Sequence, residues 1–276
     1  MERFIEDALV DAVRRAARAE ILPRFRQLDE AEIASKSSVH DPVTAADIGA
    51  EAHLRAAIAD ILPGALIIGE EGVATDPAEL DQVSHPGQVV VLDPVDGTWN
   101  FSRGLATFGT LLAVLEGGET VFGLLYDPVG DAWISATAGV GTWQVENGLR
   151  RRCRIAPPPP LRDATGLHHG QGLTPEEWAA AAAIYPRIGR VTSTRASIWD
   201  YWLLVTGGAA FCLNRYLNVW DHAAGVLALR EAGGHAALLT GQAYHPAQRE
   251  GLLLAASSEA LWDEVAGLFG PALGAE

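Results

Sequence analysis

Cysteine is nearly absent. Cys153 and Cys212 are the 2 in 276 residues, too few for a disulfide framework, and neither stands in a metal-binding spacing. Positive charge is also short: 20 Lys and Arg stand against 35 Asp and Glu, a net charge of −15. That balance argues against a nucleic-acid surface or an anionic membrane as partner. It leaves room for a phosphorylated ligand, because divalent cations can reverse the local sign of a site. No apolar run reaches the length of a membrane-crossing helix. The first residues, Met1-Glu2-Arg3-Phe4-Ile5-Glu6-Asp7, carry charges through their apolar positions and lack a signal-peptide core, so a cytoplasmic protein is expected. No internal repeat is visible. What remains is an ordinary globular composition, 49% hydrophobic and 20% charged, in a chain long enough for one large domain or two small ones.

Two short apolar runs end in acids. Gln88-Val89-Val90-Val91-Leu92 reads as a buried strand and runs straight into Asp93-Pro94-Val95-Asp96-Gly97-Thr98. Pro94 fixes its own φ and drives Asp93 towards an extended conformation, while Gly97 permits a tight turn and a close backbone approach. Two carboxylates at the end of a buried strand are costly unless a cation or donors neutralise them. Ligands of open α/β sheets sit at that end of the strands. One reading is a hard-metal site with the Thr98 hydroxyl beside it; the other is an Asp-Pro turn whose second Asp caps a helix. Ala65-Leu66-Ile67-Ile68 is a second such strand, ending in Gly69-Glu70-Glu71-Gly72. Acids at matching strand ends can converge on one cation.

Magnesium takes six oxygens in near-octahedral geometry and keeps several waters. Glu70, Asp93 and Asp96 fit that demand, with Asp221 as a fourth. Asp221 follows Trp220 and opens a helix, so it also reads as an N-cap. Thr44-Ala45-Ala46-Asp47 is a capping-box pattern, which gives Asp47 a structural reading of its own. Lys36 reads as a solvated loop lysine, with contact to a weaker third-metal region as the alternative. His168, His169 and His222 show no metal spacing, and His222 is expected on the surface of its helix.

The stretch from Asp93 to Thr98 resembles, at every position, the Asp-Pro-[Ile/Leu/Val]-Asp-Gly-Thr signature of the inositol monophosphatase family of magnesium-dependent phosphatases. Trp220-Asp221, followed by a helix and Glu231-Ala232-Gly233-Gly234, resembles that family's second signature. Residues 41–47 and Gly69-Glu70-Glu71 supply two further matches in the same order, so the likeness covers most of the chain. The resemblance implies a mixed α/β (α+β) fold, the sugar-phosphatase αβαβα layered sandwich, usually as a homodimer. It implies one domain over residues 1–276, with most metal ligands in subregion 1–156. Subregion 161–276 would carry Asp221 and the substrate wall.

The resemblance also implies two to three Mg2+ ions. The first would be held by Glu70, Asp93 and the carbonyl of Val95, the second by Asp93, Asp96 and Asp221, and a weaker third near Glu70. Thr98 would orient the attacking water and Asp47 would accept its proton, with Glu71 orienting Glu70 and its waters. Gly97, Thr98, Asp96, Asn214, Ala196 and Ser197 would contact the substrate. The implied activity is lithium-sensitive hydrolysis of a small polyol phosphate, nominally inositol 1-phosphate. Histidinol phosphate, fructose 1,6-bisphosphate and a 3′-phosphonucleotide are alternative substrates. A non-catalytic regulatory role, as in the extragenic suppressor proteins, is the rival from another class. Three departures bear on the substrate. Trp99 stands where threonine is common. Asn214 stands where the member best known for myo-inositol has glutamate. The Gly-Ser/Thr-Ala-Ala turn that usually lines the sugar site is represented by Arg195-Ala196-Ser197-Ile198.

The pattern predicts helices over residues 2–22, 44–61, 174–185, 197–206, 221–232 and 258–269. It predicts strands at 65–68, 88–92, 188–193, 209–217, 235–239 and 252–256 and a meander over 105–146. Residues 35–42 read as a polar loop or mobile hairpin, 73–87 as a polar loop, and Pro157 to Pro160 as a stiff run that is either a connector within one domain or a linker between two. Elements alternating in the second half and a meander in the first indicate layered αβ architecture.

Overall fold

A computed structural model describes residues 2–36 and 42–275. The chain opens with helix α1 (Arg3–Ala16), continued by a π-helical turn over Ala17–Ile21. A two-stranded ribbon follows, β1 (Ile33–Ser35) antiparallel to β2 (Pro42–Thr44), flanking the segment expected as a loop. Asp41 of the first matching motif lies outside the described residues. Then come α2 (Ala45–Ile61), β3 (Leu66–Gly69), α3 (Glu70–Thr75), β4 (Gln88–Asp96) and α4 (Thr98–Ser102). The meander is β5 (Gly109–Glu116), β6 (Glu119–Asp127), β7 (Ala132–Thr137), β8 (Gly141–Glu146) and β9 (Leu149–Cys153). The second half holds β10 (Thr165–His168), α5 (Pro175–Ile184), β11 (Arg190–Thr192), α6 (Ser197–Thr206) and β12 (Phe211–Asn214). It closes with α7 (Val219–Glu231), β13 (His235–Leu238), β14 (Leu253–Ala256) and α8 (Glu259–Ala272).

Strands β3 to β9 form a seven-stranded sheet in sequence order, and a five-stranded sheet has the order β11-β10-β12-β14-β13. Three apolar clusters separate five layers. Leu9, Val13, Leu54 and Ile58 of α1 and α2 pack on Val90 and Leu92 of β4. Val89 and Val91, on the opposite face of β4, pack in a cluster with α6 and α7, which also contact the second sheet. Helices α5 and α8 cover the outer face of that sheet through Ala181, Ile184, Trp262, Val265 and Phe269. The result is an αβαβα sandwich. A strand covered on both faces has no polar side to show, which is why β4 is apolar without interruption up to its acids.

Local chemistry sets the elements. Thr44 caps α2: its hydroxyl accepts from the Ala46 N–H, while Asp47 accepts from the Thr44 N–H at 2.8 Å. Thr174 does the same for α5, with Pro175 at the first helical position. Helix α7 lies so close to the sheet that a Cβ on Gly123 would meet the Ala224 backbone at 2.7 Å. The region 73–87 is helical rather than a loop: α3 is followed by a 3-10 helix over Pro77–Ser84, capped by Asp76. Glu51 reaches across from α2 and accepts from the N–H groups of Glu71 and Gly72 at 2.9 Å each, which anchors the start of α3. The meander gains β9, β10 was not expected, and the strand expected over 209–217 is confined to β12. No helix among the described residues is long and apolar enough to cross a membrane.

Candidate active site

Strand β4 carries its acids at its carboxyl end, where its pairing with β5 shifts register between Asp93 and Asp96. The irregularity is fixed by Thr110, whose hydroxyl donates to the Pro94 carbonyl at 2.8 Å. Such bulges re-aim side chains. Gly97 then turns the chain with φ +85°, and a Cβ there would meet Ala196 Cβ and the Thr107 carbonyl at 2.9 Å. Glycine is required on both counts.

The turn opens into a cleft of about 560 Å³. Glu70, Asp93, Val95, Asp96, Gly97 and Thr98 line one wall; Ala196, Ser197, Asn214 and Asp221 line the others. Carboxylate oxygens of Asp93, Asp96 and Asp221 lie within 4.8 Å of one another. Asp221 is not an N-cap. Asn218 occupies that position, Asp221 is the third residue of α7, and the Asn218 amide donates to it at 3.1 Å. Asp93 is 2% exposed and its Oδ1 has no hydrogen-bond partner. A buried carboxylate oxygen without a donor is expensive. Hard oxygens gathered this closely suit a divalent cation such as magnesium, and the orphaned atom is where one would satisfy the site.

The electrostatics agree. Burial, then the neighbouring Glu70, Asp96 and Asp221, push the Asp93 carboxyl well above its ordinary range. Burial drives Asp96 up to about 7, against the N–H donors of Ile198 and Ser197 that pull it down. Asp221 is raised by burial and by Asp96 and Glu70. Without a cation these groups resist ionising together.

Asp47 stands behind the cleft wall, 1% exposed. Its Oδ1 is 2.9 Å from Thr98 Oγ1, which is also 2.8 Å from the Val95 carbonyl. The capping role and the contact with Thr98 use different oxygens of one carboxylate, so the two readings of Asp47 are compatible. Burial raises Asp47 to about 6, against the pull of its Thr44 hydrogen bond. Glu71 is off the cleft. Lys36 Nζ bonds Glu71 Oε1 at 2.6 Å and Glu70 Oε1 at 2.7 Å, so it is no solvated loop lysine. The ribbon β1–β2 delivers it, a long-range placement with no local signal. Burial raises Glu71 to about 7 although Lys36 opposes it.

A second polar network borders the same cleft. Asp200 is fully buried and accepts from Thr194 Oγ1 at 2.5 Å and Cys212 Sγ at 3.2 Å, and its Oδ2 lies 2.5 Å from His169 Nε2. Asn214 Nδ2 donates to Cys212 Sγ at 3.2 Å, which leaves its carbonyl oxygen as the acceptor. His222 is buried, not on a helix surface: Nε2 donates to the Tyr216 carbonyl at 2.7 Å and Nδ1 accepts from Tyr201 at 2.9 Å. Helix α7 is enclosed between two sheets, so it has little outer face, and burial lowers His222 to about 4.

The model of the inositol monophosphatase family matches residues 2–269. The inositol-1-monophosphatase SuhB of Mycobacterium tuberculosis is 30% identical over 255 residues, 91% of this chain and 86% of that protein. The histidinol-phosphatase of Streptomyces coelicolor is 29% identical over 281 residues, 97% and 98% of the two chains. Among solved structures, the Thermotoga maritima IMPase superposes with a TM-score of 0.82 at 22% identity, covering 99% of each chain. Sequence, fold and relatives converge, and the chain belongs to the inositol monophosphatase family of phosphoric monoester hydrolases.

Proposed function

We infer that the protein is a magnesium-dependent phosphomonoesterase acting on a small polyol phosphate, nominally inositol 1-phosphate. The observation that carries this is the orphaned Asp93 oxygen beside Asp96 and Asp221. Glu70, Asp93 and the Val95 carbonyl would hold one ion, Asp93, Asp96 and Asp221 a second, and a third would lie near Glu70. Bound magnesium supplies charge neutralisation for the phosphate and acidifies water. The homodimer, the cytoplasmic location and the lithium sensitivity that the resemblance implies belong to the same proposal.

The chain's own residues supply positioning and a proton path. Thr98 Oγ1 has one proton and two acceptors, Asp47 and the Val95 carbonyl. Its lone pairs remain for a water. As that water attacks phosphorus in line, its proton passes through the Thr98 hydroxyl to Asp47, and as the P–O bond to the polyol breaks the departing oxygen takes a proton from solvent water in the cleft. Burial of Asp47 raises its affinity for a proton, which favours it as the acceptor. Gly97 lets the backbone at the start of α4 approach the phosphate, and Glu71 fixes Glu70 through Lys36.

Substrate choice rests on the far wall. Asn214, Ala196 and Ser197 would meet the polyol hydroxyls. A hydrogen bond to a carboxylate contributes about 1.5–3 kcal/mol against about 0.5–1.5 kcal/mol to a neutral amide such as Asn214, so preference for inositol 1-phosphate over other polyol phosphates should be modest. The Streptomyces coelicolor histidinol-phosphatase and the Escherichia coli 3′(2′),5′-bisphosphate nucleotidase, 27% identical, keep their substrates among the alternatives. The test is phosphate release from a phosphomonoester panel with magnesium. Turnover of inositol 1-phosphate with less than about a hundred-fold preference over glycerol 2-phosphate is expected. No release from any member would refute the reading and favour a regulatory role.

A further inference from the structure

Arg195 stands in the cleft wall with φ +57°, a left-handed conformation that costs a side-chain-bearing residue about 1 kcal/mol or more. The turn is held from several sides. Asn100 Nδ2 donates to the Thr194 carbonyl at 2.9 Å, and the Thr194 hydroxyl accepts from the Ala196 N–H at 3.2 Å. The guanidinium carbon lies over the Trp99 ring, 3.8 Å from its centroid, and that of Arg103 lies 4.1 Å from the centroid of the same ring. Its Nε is buried without a hydrogen-bond partner. Among the described residues, no carboxylate pairs with it. By contrast, its neighbour Arg215 is paired with Glu177. Burial and then Arg103 both lower the Arg195 pKa, and nothing opposes them. A strained backbone, a guanidinium over an aromatic ring and a charge without a counter-ion are concentrated on one residue facing the cleft that ends in the acidic cluster.

We propose that Arg195 is a specificity-determining residue that binds a second anionic group of the substrate, so that the enzyme selects small polyol phosphates bearing a further phosphate or carboxylate. This rests on the phosphatase reading above and narrows its substrate class. The cleft is then bipolar: the acids of β4 and α7 take the scissile phosphate through cations, and the guanidinium takes the other anion directly. Contact with the Trp99 ring holds the guanidinium in place at the cleft wall, and its fork suits bidentate contact with a carboxylate or phosphate. The same charge disfavours an ammonium at that position and so weighs against aminoalkyl phosphates such as histidinol phosphate.

Two matched substrate pairs test this with magnesium present. Sorbitol 6-phosphate and 6-phosphogluconate differ by a terminal carboxylate; fructose 1-phosphate and fructose 1,6-bisphosphate differ by a second phosphate. The anionic member of at least one pair should be favoured in kcat/KM by about ten- to a hundred-fold, and the pair that shows it identifies the group. Arg195→Gln should bring that ratio close to one, chiefly through KM of the anionic member. Arg195→Lys should retain part of it. A wild-type ratio near one in both pairs, with the neutral members hydrolysed, overturns the inference and leaves the phosphatase reading standing. A ratio unchanged in Arg195→Gln also overturns it. No phosphate release from any of the four removes the phosphatase reading and this inference with it.

Discussion

Asp93 and Asp200 are both buried carboxylates beside the same cleft, 2% and 0% exposed. Asp200 has partners on both oxygens: Thr194 on one, His169 and Cys212 on the other. Asp93 keeps an oxygen with no donor and faces Asp96 and Asp221 instead of cations. Metal-ligating types alone do not separate the two, because His169, Asp200 and Cys212 also offer ligand atoms within 4.8 Å of one another. The hydrogen bonds do separate them. A buried acid with its donors built in is a structural tie; one left short of donors among other acids is where the proposed cation would complete the site.

The sharpest way to break that contrast is to neutralise each acid in turn. Asp93→Asn should lower turnover about a thousand-fold or more, since cation binding supplies several kcal/mol of transition-state stabilisation. Thermal unfolding in a chelator should show the variant at least as stable as wild type, because one charge leaves a crowded cluster. Asp200→Asn should act in the opposite sense. It disturbs an acceptor shared by Thr194, His169 and Cys212 and should cost about 1–3 kcal/mol in urea unfolding, as an unsatisfied buried polar group does. Thr98→Ala should reduce kcat about a hundred-fold with little change in KM, because orienting a water matters mainly in the transition state. A change confined to KM would make Thr98 a phosphate ligand. The smallest effect is on stability against pH. Asp96 lies at about 7 when folded and near 4 when unfolded. A carboxyl raised by folding stabilises below its unfolded pKa and loses that contribution as pH rises through its folded value. The metal-free protein should therefore lose stability between about pH 4 and pH 7, at about 2–4 °C of Tm per kcal/mol. Magnesium should raise Tm more at pH 8 than at pH 5.

The same contrast explains what could be read from the sequence. The acids of β4 announce themselves because an apolar, two-face-covered strand ends abruptly in Asp93 and Asp96, a local signal. Thr44 and Asp47 follow a capping pattern with fixed spacing. The Asp200 network has no such signal: its members come from the end of β10, from the turn before α6, from α6 and from β12, and only the sheet order brings them together. Lys36 is likewise placed by a ribbon 34 residues before Glu70. The pattern of α7 points His222 outwards because a sequence pattern does not show that both faces of a helix are covered. The helical stretch after Glu70 was missed because its anchor, Glu51, lies on another helix.

The most direct test of the contrast is a calorimetric titration of Mg2+ into metal-stripped protein at about pH 6.5, repeated in buffers of different ionisation enthalpy. Binding should release protons, since Asp96, raised to about 7 without a cation, is partly protonated there. It should vanish in Asp93→Asn and persist in Asp200→Asn. Magnesium binding of equal affinity and equal proton release in wild type and Asp93→Asn would contradict the account.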